Sequence, residues 1–163
     1  MNLIVAADNK WGIGRDGGLL CHLPSDMKYF REKTKGKVVV MGRKTFESLP
    51  GGKGLPDRIN YVLTTNLNFE ASGCIVINFE DELWDELERY DADDVYLIGG
   101  AALYNAFYKR CDRLYITRID ADLGADTFIT DMGSDPDFEL ESESDTISEN
   151  GLEFKFCVYR KKK

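Results

Sequence analysis

The stretch "LIVAADNKWGIGRDGGLLCHLPSD", residues 3–26, decides which fold the chain is given. Gly12, Gly14 and Gly17 satisfy the spacing G-x-G-x-x-G directly after an apolar, strand-like run. In a dinucleotide-binding turn the third glycine lies inside a helix that begins at once, so that the helix N-terminus faces a pyrophosphate. Here "GLLCHLPSD" follows, and the first helix cap on offer is Ser25, eight residues after Gly17. The second strand of such a fold also closes on an acid that binds ribose hydroxyls. This chain has Gly42-Arg43-Lys44 at that place. The spacing is present and its context is not. Gly12, Gly14, Gly17 and Gly18 therefore read as a flexible loop able to swing over a site, anchored by Trp11 and by Leu19 or Leu20. An ordinary long surface loop is the plain alternative.

Working outward, branched and aromatic runs recur at 2–7, 37–42, 59–65, 74–78, 94–100 and 113–119. Most are continuously apolar rather than alternating, as strands covered on both faces are. Helix-like stretches lie between them: 25–34 with Ser25 as cap, 43–49, 80–90 with Leu83, Trp84, Leu87 and Tyr90 on one stripe, and 100–110. Strand–helix alternation predicts an α/β fold with a mostly parallel sheet. The end differs. "EFKFCVYR" (153–160) alternates, which predicts an antiparallel strand paired near Phe138–Glu143 across a solvated acidic hairpin loop, "ESESDTISENG". The terminal Lys161–Lys163 reads as a frayed tail. No repeat or linker divides residues 1–163, which are expected to form one domain.

Of 163 residues 43% are apolar, the net charge is −8, and no apolar run reaches membrane-spanning length. An acidic balance argues against general nucleic-acid binding, which needs a basic face. No signal segment precedes the first strand, so a cytoplasmic location is expected. Cys21, Cys74, Cys111 and Cys157 are scattered, and with one histidine in the chain no metal site is expected.

Four places could carry chemistry. Asp26 lies in the opening turn of a helix and shares a face with Phe30, as either a helix-terminus partner or a working acid. Arg43 and Lys44, beside Thr45, start a helix after a buried strand and could seat a phosphate, near Thr64-Thr65 at the end of the next strand. Gly99-Gly100 end a strand where a ligand could approach the backbone closely, or merely form a tight turn. Arg58 could capture a carboxylate with its fork, or be solvated.

In order along the chain, "IVAADNKWGIGRDGGLLCHLPSDMKYFREKT", "VVVMGRKTFESLP", "GLPDRINYVLTT", "VYLIGGAALYNAF" and "LYITRIDADLGADTFI" together resemble dihydrofolate reductases. The resemblance implies a central mixed, mostly parallel eight-stranded sheet flanked by four helices, with a C-terminal antiparallel hairpin. It implies reduction of 7,8-dihydrofolate to tetrahydrofolate by NADPH in a monomer that antifolates inhibit. By resemblance, Asp26 is the pterin-site acid and Thr117 supports it. Ile4, Val5, Met27, Phe30, Leu49 and Leu55 line the pterin and benzoyl pocket, with Ile98 on its cofactor side. Arg58 takes the α-carboxylate of the glutamate tail. Arg43, Lys44 and Thr65 resemble the 2′-phosphate seat, Thr45 the pyrophosphate contact, with Gly42, Leu63 and Thr64 around them. Ile13, Gly14 and Leu19 belong to the mobile lid near the nicotinamide, with Ala6 beneath. Ile98, Gly99, Gly100 and Tyr104 form the other cofactor wall, continued by Ala101, Ala102 and Leu103, and the resemblance implies a cis peptide between the two glycines. Asp126 pins the closed lid.

One position departs. Cys21 stands where the family usually has a tryptophan that orders a water and closes the pterin pocket. Two rivals remain at this stage: a same-fold reductase of a pyrimidine intermediate in riboflavin synthesis, whose substrate lacks a glutamate tail for Arg58, and a non-catalytic folate- or nucleotide-binding component.

Overall fold

The computed structural model describes residues 1–163. Eight of the nine strands of the main sheet follow one path, in the order β10-β12-β8-β1-β7-β4-β5-β6. They are β1 (Asn2–Ala7), β4 (Val38–Gly42), β5 (Ile59–Leu63), β6 (Ile75–Ile77), β7 (Val95–Gly99), β8 (Arg113–Ile119), β10 (Phe138–Glu143) and β12 (Leu152–Lys161). The six from β8 to β6 are mutually parallel; β12 runs antiparallel to β8 and to β10. Helices α1 (Pro24–Thr34), α2 (Arg43–Glu47), α3 (Glu80–Leu87) and α4 (Ala101–Phe107) complete the α/β layers.

The continuous apolar runs have the cause their pattern implies. On β4, Val38 and Val40 enter one core with Leu3, Tyr61, Leu97 and, from α3 and α4, Leu83, Leu87 and Phe107. Val39 and Met41 enter a second core with Ile4, Val62, Tyr96 and Phe46, against which Tyr29 and Phe30 of α1 pack. The central strands β1, β4, β5 and β7 thus each feed two cores, so neither of their faces can be polar.

Four expectations need correcting. The terminal lysines are not all frayed: Lys161 closes β12, and the Lys161 and Lys162 amides donate to the Asp112 and Asp137 carbonyls at 2.9 and 2.8 Å. The glycine-rich segment is an ordered ribbon rather than a loose loop: β2 (Gly12–Arg15) pairs with β3 (Gly18–Leu19) and with β9 (Thr127–Phe128) in a second, three-stranded sheet. Arg15 pairs with Gly18, leaving Asp16 and Gly17 as a two-residue turn with φ of 53° and 77°. Positive φ at both positions defines the tight hairpin turn that Asp-Gly favours. Trp11 anchors its base, 6% exposed; of the two leucines offered as the other anchor, Leu19 is 79% exposed and Leu20 is half-buried. Ser25 does not cap α1: Leu23 holds the N-cap position without a side-chain bond, and Pro24 opens the helix. The acidic segment "ESESDTISENG" is more than a solvated loop, because β11 (Ile147–Glu149) within it pairs with β12.

Candidate active site

Ligands of open α/β sheets bind beyond the carboxyl ends of the strands, where the strand order reverses. The chain leaves β1 for β4, skipping the place that β7 later fills, so the ends of β1, β4 and β7 bound such a crevice.

Asp26 is half-buried in the first turn of α1, and Thr117 Oγ1 on β8 donates to its Oδ1 at 2.6 Å. Thr117 itself is buried and paired in register with Ala6 of β1. Burial pushes the Asp26 carboxyl above its ordinary value; the Thr117 hydrogen bond opposes this, and the negative charge of Glu149 adds to it. The working-acid reading of Asp26 therefore has a physical basis. Its charge reaches the hydroxyl of Tyr104, which donates to the Ile4 carbonyl at 2.8 Å and ties α4 to β1.

Ile4 shares a cluster with Phe30, Leu49, Leu55 and Ile98, so the apolar residues expected around the acid pack into one wall reaching from β1 to α1. Val5 packs against the other core, and Met27 is 45% exposed on α1. Arg58 is half-buried at the far end of this wall. Its Nε donates to Thr34 Oγ1 at 2.9 Å and its Nη1 to the Pro56 carbonyl at 2.8 Å, with Phe30 beneath the guanidinium at 5.9 Å. These contacts aim the fork, so Arg58 is not a loosely solvated side chain.

Across the crevice, the Gly99–Gly100 peptide is cis. A Cβ on Gly99 would lie 3.2 Å from Thr45 Oγ1 and 3.4 Å from the Tyr104 ring; one on Gly100 would lie 3.4 Å from Thr45 Oγ1. A Cβ on Gly42 would meet Leu103 at 3.5 Å. The ends of β4 and β7 and the start of α4 thus form a backbone-lined cradle with Thr45 at its centre. Leu63 pairs with Gly42, so Thr64 and Thr65 leave the sheet beside Arg43 and Lys44. Arg43 and Lys44 are both exposed, and Arg43 contacts Glu47 at 3.4 Å. Ala6, Ala101 and Ala102 line the strand and helix ends of the same edge.

Two residues absent from the sequence reading join this edge. Asn78 Nδ2 donates to the Thr64 and Asn66 carbonyls at 2.9 and 3.1 Å, and the adjoining Phe79 is 60% exposed. An exposed phenylalanine at the end of an apolar run was the available signal. Asp8 was also missed: fully buried, it accepts from the amides of Gly12 (2.8 Å), Lys10 (3.0 Å) and Leu123 (3.0 Å), fastening the ribbon's base to the chain after β8. Asp126 Oδ2 accepts from the Asp16 amide at 2.9 Å and holds the ribbon's tip, and this bond keeps its carboxyl below the ordinary range. Burial and the charge of Asp26 raise the Cys21 thiol, so Cys21 stands near the acid as an uncharged group. A polar cavity of about 220 Å³ lies apart, lined by Arg118, Thr146, Glu153 and Lys155 among others. It mixes both signs of charge and contains none of the expected site residues.

The strand order and the residues gathered at the strand ends define a doubly wound α/β protein with a half-buried acid on α1 and a glycine-lined edge at the ends of β4 and β7. A model of the family "Dihydrofolate reductase" matches residues 1–161. The chain is 35% identical to the dihydrofolate reductase of Bacillus subtilis, covering 99% of this chain and 95% of that one. It is 36% identical to that of Haemophilus influenzae, covering 99% and 98%. Among solved structures, the Enterococcus faecalis dihydrofolate reductase complexed with NADP(H) and RAB-propyl superposes with a TM-score of 0.89 at 30% identity, over 99% of this chain and 96% of that one. The chain belongs to the dihydrofolate reductase family. It is an oxidoreductase, and the riboflavin-pathway and non-catalytic rivals fall away.

Proposed function

We propose that this protein reduces 7,8-dihydrofolate to 5,6,7,8-tetrahydrofolate with NADPH, adding hydride at C6 and a proton at N5. The observation that supports the reading is Asp26: a carboxyl with raised proton affinity, fixed by Thr117, whose charge bears on the Tyr104 hydroxyl, the side chain that packs at the Gly99–Gly100 cradle. The cradle fits a dinucleotide, since a side chain on either glycine would fill the space in front of Thr45. NADPH supplies the hydride when bound.

The chain's own groups do the rest. Asp26 accepts hydrogen bonds from the pterin amide and 2-amino group and favours positive charge building on the ring. The wall of Ile4, Phe30, Leu49, Leu55 and Ile98 excludes water, which strengthens that effect. Arg58 pairs with the tail carboxylate through the guanidinium edge not used on Thr34 and Pro56. Arg43, Lys44 and Thr65 select the 2′-phosphate, and Asn78 and Phe79 extend that seat toward the adenosine. Ile13, Gly14 and Leu19 ride on a ribbon whose tip Asp126 holds, and Leu19, exposed on that ribbon, is the side chain that closes over the bound cofactor. The four thiols of the chain are free, in keeping with work in a reducing cytoplasm.

Loss of absorbance at 340 nm on mixing NADPH, dihydrofolate and protein tests the activity, with methotrexate as the abolishing control. No loss above background under saturating conditions overturns the reading.

A further inference from the structure

The acidic segment before the last strand delivers a carboxylate to the helix that carries Asp26. Glu149, the last residue of β11, accepts from the Ser25 backbone N–H through Oε1 at 2.9 Å and from the Ser25 hydroxyl through Oε2 at 2.5 Å. The next residue, Asn150, donates from Nδ2 to the His22 carbonyl at 2.9 Å. The first amides of any α-helix have no partner within it. Leu23, at the N-cap position of α1, has no side-chain acceptor to offer them. Glu149 takes that part from a strand 124 positions away.

We propose that Glu149 is a positioning residue for Asp26: it clamps the opening turn of α1 and stations a fixed negative charge beside the acid one residue further on. The proposal rests on the reading of Asp26 as the acid of the reductase. Asp26 is thereby held from two sides, by Thr117 on β8 and, through Ser25, by Glu149 on β11. A turn so fixed keeps the carboxyl aimed into the crevice, and the added charge favours its protonated form, as the raised proton affinity of Asp26 reflects.

The groups facing Asp26 are few. Thr117 donates to it from β8; Cys21 from the preceding segment, Tyr29 from α1 and Tyr104 from α4 feel its charge while neutral themselves. Glu149 is the one formal charge among them, and it faces His22 on its other side. Glu149→Gln keeps a similar shape and an acceptor oxygen while removing the charge. A residue that merely braced the helix would change stability and leave the titration of Asp26 alone.

The test follows the ¹³C resonance of the Asp26 carboxyl against pH in the ligand-free protein, alongside the pH profile of single-turnover hydride transfer. In Glu149→Gln both midpoints are expected to fall by roughly half a pH unit. Glu149→Asp should stay near wild type, and KM for dihydrofolate should change less than about twofold in either variant. Repeating the comparison in a His22→Gln background removes the neighbouring imidazole. The wild type alone offers a second measurement: the Asp26 titration curve should carry a small inflection where Glu149 titrates. Unmoved midpoints in folded Glu149→Gln, or a single-step wild-type curve, overturn the proposal. Absence of any dihydrofolate-dependent oxidation by the wild type would instead overturn the proposed activity, and the resonance of Asp26 would still decide the role of Glu149.

Discussion

Asp26 is a carboxyl group whose ionisation the fold resists. Burial is the larger cause and the charge of Glu149 the lesser, with Thr117 pulling the other way. Because the folded chain binds this proton more tightly than the unfolded one, the linked stabilisation is full below the unfolded carboxylate's pKa. It is lost as pH rises through the higher folded value. At neutral pH the site therefore carries a cost that an amide would not. Asp26→Asn is expected to raise the melting temperature of the ligand-free protein by a few degrees at pH 8, the gain shrinking as pH falls toward 4, as scanning calorimetry at several pH values would show. The same change should slow hydride transfer at pH 7 by roughly 10² to 10⁴-fold, partly recovered at lower pH where solvent supplies the proton. Unchanged stopped-flow rates would refute the assignment. The sequence placed Asp26 on the apolar face of a helix but could not say which of its two readings held. That depended on Thr117, 91 residues away, and only the packing of β8 against α1 brings the two together.

At the scale of elements, the cofactor edge is built where strands stop and helices start. The sequence showed these junctions because glycine and charge punctuate apolar runs there, as at Gly42-Arg43-Lys44 and Gly99-Gly100. Removing both cations, Arg43→Ala with Lys44→Ala, should raise KM for NADPH by roughly 10²-fold and leave KM for NADH within a few-fold, since two charge-assisted contacts to one phosphate are lost. Equal losses for both cofactors would defeat the 2′-phosphate assignment. Gly99 has φ of 129°, a conformation side chains rarely adopt, and a Cβ there would crowd Thr45 and Tyr104. Gly99→Ala should therefore cost about 1–3 kcal/mol of stability and weaken NADPH binding, measured by denaturant titration and by fluorescence quenching. Elements without apolar rhythm were less legible. The β2–β3 ribbon was hidden because its residues are mostly glycine and charged, although Asp16-Gly17 carried the turn signal. β11 was hidden because three residues, Ile147–Glu149, are too few to show a period; β12 supplies the pairing that makes them a strand.

Across the whole molecule, the two cores lie on opposite faces of one sheet and share its strands residue by residue, Val38 and Val40 on one side, Val39 and Met41 on the other. Neither can melt while the other keeps its strands, so residues 1–163 should unfold as one unit. The α/β order was legible for the same reason: runs apolar on both faces are what a doubly covered sheet requires. In calorimetry the van't Hoff and calorimetric enthalpies should agree, and two resolved transitions would contradict a single domain. A cofactor that binds only the folded state adds stability by mass action, about 2.7 kcal/mol at a hundredfold excess over its Kd. For a chain of this size that is a rise of roughly 5–10 °C in the melting temperature. NADPH should give that rise, and NADH at equal concentration should give less. The difference should disappear in the Arg43→Ala, Lys44→Ala double variant. A net charge of −8 makes the contrast sharper: an anionic ligand gains nothing from the average field of this molecule, so its preference must come from the few cations at the end of β4.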